Sequence, residues 1–258
     1  MLSERGRARA AYCVPMPRVA IPGFLPTTSG LQFPNRFARG PVARVSMLGM
    51  TLPIGDASKG LCGGMVFAAR DLFEARQRPP PDTTPPASGT PLFDYLVRRL
   101  FASWDLPLGP LKYLLWTLLP TADIAGLTGV ASRTSHREWP RIRAEIDGGR
   151  PCPLGLVRVR SLNPWAMARN HQVLAYGYDL DDATGHLRIL VYDPNHPGEN
   201  DLALSLHVPP AAQVGPIAFV SGERPVRGFF RTRYRRPRAG ITFLPGRSDR
   251  ASPGADPL

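Results

Sequence analysis

Apolar residues recur at helical spacing between positions 61 and 77, where Leu61, Met65, Ala68, Ala69, Leu72 and Phe73 fall on one side. That pattern predicts a helix. Pro79-Pro-Pro81 sets its end, because Arg78, the residue before a proline, is disfavoured from helical backbone. After a Pro/Thr/Ser/Gly-rich loop over 79–91, two more helical patterns follow, over 92–104 and 111–119, separated by Leu106-Pro-Leu-Gly-Pro110. A fourth covers 137–146, with Trp139, Ile142 and Ile146 on one side and Gly148-Gly149 to stop it.

Beyond residue 150 the texture changes to short β-branched or aromatic runs at 154–159, 172–178, 187–192 and 202–208. Between them lie Asp181-Asp-Ala-Thr-Gly185 and Pro194-Asn-His-Pro-Gly198, both suited to turns. Further edge strands are expected at 216–220, 228–234 and 241–244. Helices first and sheet second predict an α+β fold with an antiparallel sheet. The expected organisation is an irregular arm over 1–30, one domain over 31–246 and a disordered tail over 247–258. Within that domain 31–150 is mainly helical and 151–246 mainly β.

Composition narrows the class. A 43% hydrophobic fraction over 258 residues is enough to bury a real core. The most apolar run, 111–119, is about half of the ~20 residues a membrane span needs. Prolines 15, 17 and 22 interrupt any apolar leader segment, so a soluble, cytoplasmic protein without a membrane span is expected. The net charge of +12 is almost entirely arginine, since Lys59 and Lys112 are the only lysines. Cys13, Cys62 and Cys152 are too few and too scattered for a disulfide framework, and no Cys/His spacing suits zinc, so neither metal nor cofactor is expected.

The candidate chemistry lies in two blocks. Gly60-Leu-Cys-Gly-Gly-Met65 places Cys62 at the head of the first predicted helix, where the helix dipole favours thiolate and free N–H groups suit an oxyanion. Asn170-His-Gln-Val-Leu-Ala-Tyr-Gly-Tyr178 places His171 at a strand start, and Asp193 ends the next strand before Pro194. An antiparallel hairpin turning at 181–185 brings His171 and Asp193 side by side. A nucleophile, a base and a group that orients the base are the parts of thiol-based acyl transfer.

Those two blocks resemble the papain-like cysteine peptidase superfamily. Asp193, in place of the usual asparagine, is similar to the Cys-His-Asp arrangement of the C39-type bacteriocin-processing peptidases. The resemblance spans roughly 31–220. It implies a papain-like fold, a nucleophile helix packed on the sheet, and hydrolysis of a peptide or other amide through a thioester. It also implies Cys62, His171 and Asp193 as catalytic residues. The glutamine expected a few residues before the cysteine is missing, and Asp56 stands near its place. Asn35, and second Gln32, are the upstream amides left to complete an oxyanion hole with the Cys62 N–H.

Two alternatives stay open: a catalytically inactive papain-like domain that binds a peptide or partner, and an arginine-rich binder of nucleic acid or an acidic partner. The second rests on Arg224, Arg227, Arg231, Arg233, Arg235, Arg236 and Arg238, interleaved with Phe229, Phe230 and Tyr234. Without a recognition motif, nucleic acid is an unlikely partner, and the same alternation fits a strand with one aromatic face. The acidic turn Asp193, Asn195, Glu199, Asn200, Asp201 offers calcium ligands but lacks the spacing of a calcium loop.

Overall fold

The computed structural model describes residues 17–40, 43–47, 50–54, 56–57, 60–105, 108–161, 170–209, 217–219 and 225–243. In chain order the elements are β1 (Arg18–Ala20), α1 (Pro26–Ser29), a hairpin of β2 (Ala43–Met47) and β3 (Met50–Ile54), α2 (Cys62–Glu74), α3 (Pro91–Ser103) and α4 (Leu108–Leu118). There follow α5 (Val130–Arg133), a π-helical turn (Thr134–Glu138) and α6 (Trp139–Asp147). The chain then forms β4 (Cys152–Val157), β5 (His171–Asp181), β6 (His186–Tyr192), β7 (Ala203–His207), β8 (Ala218–Phe219) and β9 (Gly228–Arg231).

The fold is α+β. Antiparallel strands run in the order β8-β7-β6-β5-β4-β9, and β1 pairs with β5 beyond the end of β4, so that Ala20 lies opposite Gly177. Part of the expected irregular arm is therefore built into the sheet, where the Arg18 guanidinium donates to the Asp179 carboxylate at 2.9 Å. A three-residue strand carries no readable period, which is why its sequence resembles a loop. The β2–β3 hairpin was likewise unannounced. Positions 241–243, expected as a strand, form a turn instead, because Ile241 and Phe243 pack on the α2–α3 side and Phe243 meets the Tyr95 ring edge-on. Cys13, Lys59, residues 210–216, Arg224 and 247–258 lie outside the described residues.

α2 is the centre of the molecule. Every residue from Gly63 to Leu72 is buried, as expected of a helix surrounded by protein on all sides. Val66, Phe67 and Ala69 join the core against the sheet, while Met65, Ala68 and Leu72 join a second core with Leu31, Phe33, Phe93 and Leu96. α3 starts on Pro91, with Thr90 capping it by accepting from the Phe93 N–H. Where α3 crosses α2, a Cβ on Gly64 would collide with the Leu96 carbonyl. Gly64→Ala is therefore expected to force the two helices apart and to cost about 1–3 kcal/mol, read as a lower denaturant midpoint. An unchanged midpoint would mean that the crossing is loose.

Three arginines of the basic stretch pair with the chain's own acids. Arg231 pairs with Glu145, Arg235 with Asp105 and Arg236 with Glu74, while Phe229 and Phe230 are buried. No helix among the described residues is long and apolar enough to cross a membrane.

Candidate active site

Three elements meet at the start of α2. Leu61 precedes the helix, and its N–H donates to Asn35 Oδ1 at 2.6 Å. Gly60 makes this approach possible: its φ of +91° is left-handed, and a Cβ there would lie 2.5 Å from Asn35 Nδ2. Asn35 also donates its backbone N–H to the Pro194 carbonyl at 2.9 Å, and its amide to Asn195 Oδ1 at 3.3 Å. One asparagine thus ties the head of α2 to the turn that follows β6.

β5 begins on His171, opposite Leu156 of β4. β6 ends on Tyr192, opposite Leu174, so Asp193 emerges beside His171. The His171 ring donates from Nε2 to Asp193 Oδ1 at 2.6 Å, and both residues are buried. The same carboxylate oxygen accepts from the Asn195 N–H at 2.8 Å. The Cys62 thiol lies close enough to the imidazole for the two to shift each other's titration, and with Nε2 held by Asp193 the ring nitrogen left for the sulfur is Nδ1.

The electrostatics of the three are mutual. Burial alone pushes the Cys62 thiol up, but the charge and hydrogen bond of His171 and the backbone N–H of Gln172 outweigh it, leaving the thiol below its ordinary value. Burial opposes charge on His171 too, yet Asp193 and the Cys62 thiolate hold the imidazole well above its ordinary range. Burial would raise Asp193 as well, and the imidazolium and the Asn195 N–H keep it low. Both shifts favour the same arrangement, a thiolate facing an imidazolium. Cys152 is the contrast: buried without such a partner, its thiol is pushed up to about 12.

Cys62, His171, Asp193 and Asn35 are thus brought together around the head of α2. Gln32 is not, and this corrects its proposed oxyanion role: its amide donates to the carbonyls of Pro26 and Gly30, at 2.9 and 2.6 Å, which engages both hydrogens. The two glycines that follow Cys62 are packed against α3. A Cβ on Gly63 would collide with Ser103 Oγ and lie 3.0 Å from Gln172 Nε2. The acidic turn is also dispersed, with Asn200 Oδ1 accepting from the Thr27 N–H and Glu199 paired with His196. Among the described residues no three His, Cys, Asp or Glu side chains converge as a metal site.

Two side chains at this site were not singled out from the sequence. Gln172 is buried and donates to Ser103 Oγ at 3.3 Å, leaving its Oε1 without a partner. The Tyr113 hydroxyl, from α4, occupies the place a side chain on Gly155 would take, close enough to Cys62 and Gln172 to feel both, and it too has no partner. A glutamine inside the apolar run of β5 was the available signal for Gln172. Nothing local marks Tyr113. No protein-family model, curated protein or solved structure matches this chain.

Proposed function

We propose that the chain is a papain-like cysteine hydrolase that cleaves a peptide or other amide bond through a thioester. The observation that carries this reading is the relay from the Cys62 thiol through His171 to Asp193, closed by the 2.6 Å bond between Nε2 and Oδ1. In this reading the Cys62 thiolate attacks the carbonyl carbon, and the C=O electron pair moves onto oxygen. The N–H groups of the first turn of α2 stabilise that oxyanion, together with the Asn35 amide hydrogen that Asn195 does not use. The imidazolium gives its Nδ1 proton to the departing amine as the C–N bond breaks, leaving a thioester on sulfur and a neutral imidazole. Water then adds to the thioester carbonyl while His171 takes its proton. Collapse expels the thiolate and releases the acid.

Asp193 stays ionised throughout. It holds the imidazole in place and offsets its charge. Asn35 acts as a positioning residue as well, because its Oδ1 fixes the Leu61 N–H and its backbone fixes the Pro194 turn.

The test is labelling by a neutral peptidyl acyloxymethyl ketone, followed by mapping of the modified peptide. Cys62 is expected to carry the label, and Cys62→Ala to abolish it. Persistence of labelling in that variant would sink the assignment.

A further inference from the structure

α4 is apolar on two sides. Trp116 faces inward and joins Val130, Val157 and Phe230 in a small core, with Tyr113 and Leu119 packed against it. Leu111, Leu115 and Leu118 recur at the spacing that lines residues up along one side of a helix. That side is the outer one, and the three are 51%, 52% and 38% exposed.

Past Pro120 the chain makes a two-residue hairpin. Ile124 and Leu127 exchange both backbone hydrogen bonds, at 3.1 and 2.9 Å. Ala125 and Gly126 between them take left-handed φ values of +49° and +80°, as such a tight turn requires. Paired across the turn, Ile124 and Leu127 point to the same face, and they are 58% and 47% exposed. Of the eight large apolar side chains exposed among the described residues, five therefore fall between 111 and 127. Single exposed leucines are ordinary, but a group gathered on one segment marks an interaction surface.

The exposure is built into the local structure. Asp123 Oδ1 accepts from the Gly129 N–H at 2.6 Å, and its Oδ2 accepts from the Ser132 hydroxyl at 3.0 Å. The Pro120 and Thr121 carbonyls accept from the Val130 and Ala131 N–H groups at 2.9 and 3.0 Å. Arg227 braces the junction with α4, donating to the Thr117 and Leu119 carbonyls and to the Thr121 hydroxyl.

Charge narrows the choice of partner. These acceptors of Arg227, and the Val159 carbonyl it also reaches, are all neutral, so none cancels its charge. Burial lowers its pKa, and the exposed Arg160 nearby lowers it further. Arg133 donates to the Thr128 carbonyl at the base of the hairpin. Asp123, already engaged as a brace, is the one acidic residue between 106 and 137, in a chain of net charge +12. A second copy related by a twofold axis would set these arginines against their own images. A helix ridge and a hairpin tip are convex, so whatever covers them must close around them. A fluid bilayer does so, and anionic headgroups complement the arginines.

We propose that α4 and the hairpin after it dock the protein on an anionic lipid bilayer. Leu111, Leu115, Leu118, Ile124 and Leu127 enter the interface, while Arg133, Arg160 and Arg227 face the headgroups. The chain then lies on the membrane without spanning it, whether or not Cys62 is catalytic. The test is co-sedimentation of the full chain with vesicles of phosphatidylcholine, alone or mixed with phosphatidylglycerol. The anionic lipid is expected to raise the partition coefficient at least about tenfold. Raising salt from roughly 0.05 to 0.5 M should lower it again. Leu115→Ser/Ile124→Ser should weaken partitioning about tenfold or more, and Arg160→Gln about fivefold. Both variants change exposed side chains, so their denaturant midpoints should match that of the unmodified chain. Leu25→Ser, at an exposed leucine outside this segment, should leave partitioning unchanged. Sedimentation indifferent to the anionic lipid or to the double substitution, or weakened as much by Leu25→Ser, overturns the docking surface. So does a failure to bind either vesicle, including the case of a dimer, seen by light scattering, that Leu115→Ser dissociates.

Discussion

In His171→Ala, Cys62 is expected to lose its reactivity at neutral pH, and any amide turnover is expected to fall about 10²- to 10⁴-fold. The reason lies in the balance at the sulfur. Burial pushes the thiol up, and it sits below its ordinary value only because the imidazolium and the Gln172 N–H pull it down. Removing the ring leaves burial in place and adds a buried Asp193 carboxylate with no cation to face. The pH at which iodoacetamide alkylates Cys62 at half its maximal rate should therefore move from below the ~8.5 of a free cysteine to above it. Each unit of that rise costs tenfold in thiolate at a fixed lower pH. Asp193→Asn should move the profile in the same direction by less, because an oxygen acceptor for Nε2 remains and only its charge is lost. Cys152, buried with its thiol near 12, stays silent, so mapping of the alkylated peptide reports Cys62. A profile unchanged in His171→Ala would refute the ion pair.

The hairpin that carries this pair was legible because its parts are local. The apolar runs of β5 and β6 flank a turn whose Asp181 carboxylate accepts from the Ala183 and Thr184 N–H groups, and the interval places Asp193 beside His171. The start of α2 was legible for a similar reason: helical spacing opens on a cysteine after a glycine. What was not legible depends on distant residues. β1 is a strand only because β5 extends past β4 and offers an edge. The wide turn at Thr134–Glu138 fits because the Thr134 hydroxyl bridges to Phe229 of β9, donating to its carbonyl and accepting from its N–H, both at 3.0 Å. Tyr113 takes its buried place only because Gly155, far along the chain, has no side chain. The choice between Asn35 and Gln32 was open in the sequence for the same reason: the partners that distinguish them, Leu61 and Asn195 against Pro26 and Gly30, are set by the fold.

The largest loss of stability is expected from Asp71→Ala, on the far half of α2. The Asp71 side chain is fully buried, and burial raises its pKa against the pull of Arg99 and two tyrosines. Arg99 donates to both carboxylate oxygens, at 2.6 and 2.9 Å, while the Tyr95 and Tyr234 hydroxyls donate at 2.8 and 2.6 Å. Four donors from two segments converge on one carboxylate, joining α2 to α3 and to the chain that follows β9. Alanine would leave the Arg99 guanidinium buried beside the Phe67 ring with the Arg235 carbonyl as its remaining acceptor, and both hydroxyls unpaired. Breaking a buried pair from one side costs about 3–5 kcal/mol, enough to consume much of the ~5–15 kcal/mol that holds a typical domain together. The double variant Asp71→Ala/Arg99→Leu removes the stranded charge and should recover part of that loss in denaturant titration. If the double variant were no more stable than Asp71→Ala, the cost would lie in the tyrosine hydroxyls and the packing around them rather than in the buried guanidinium.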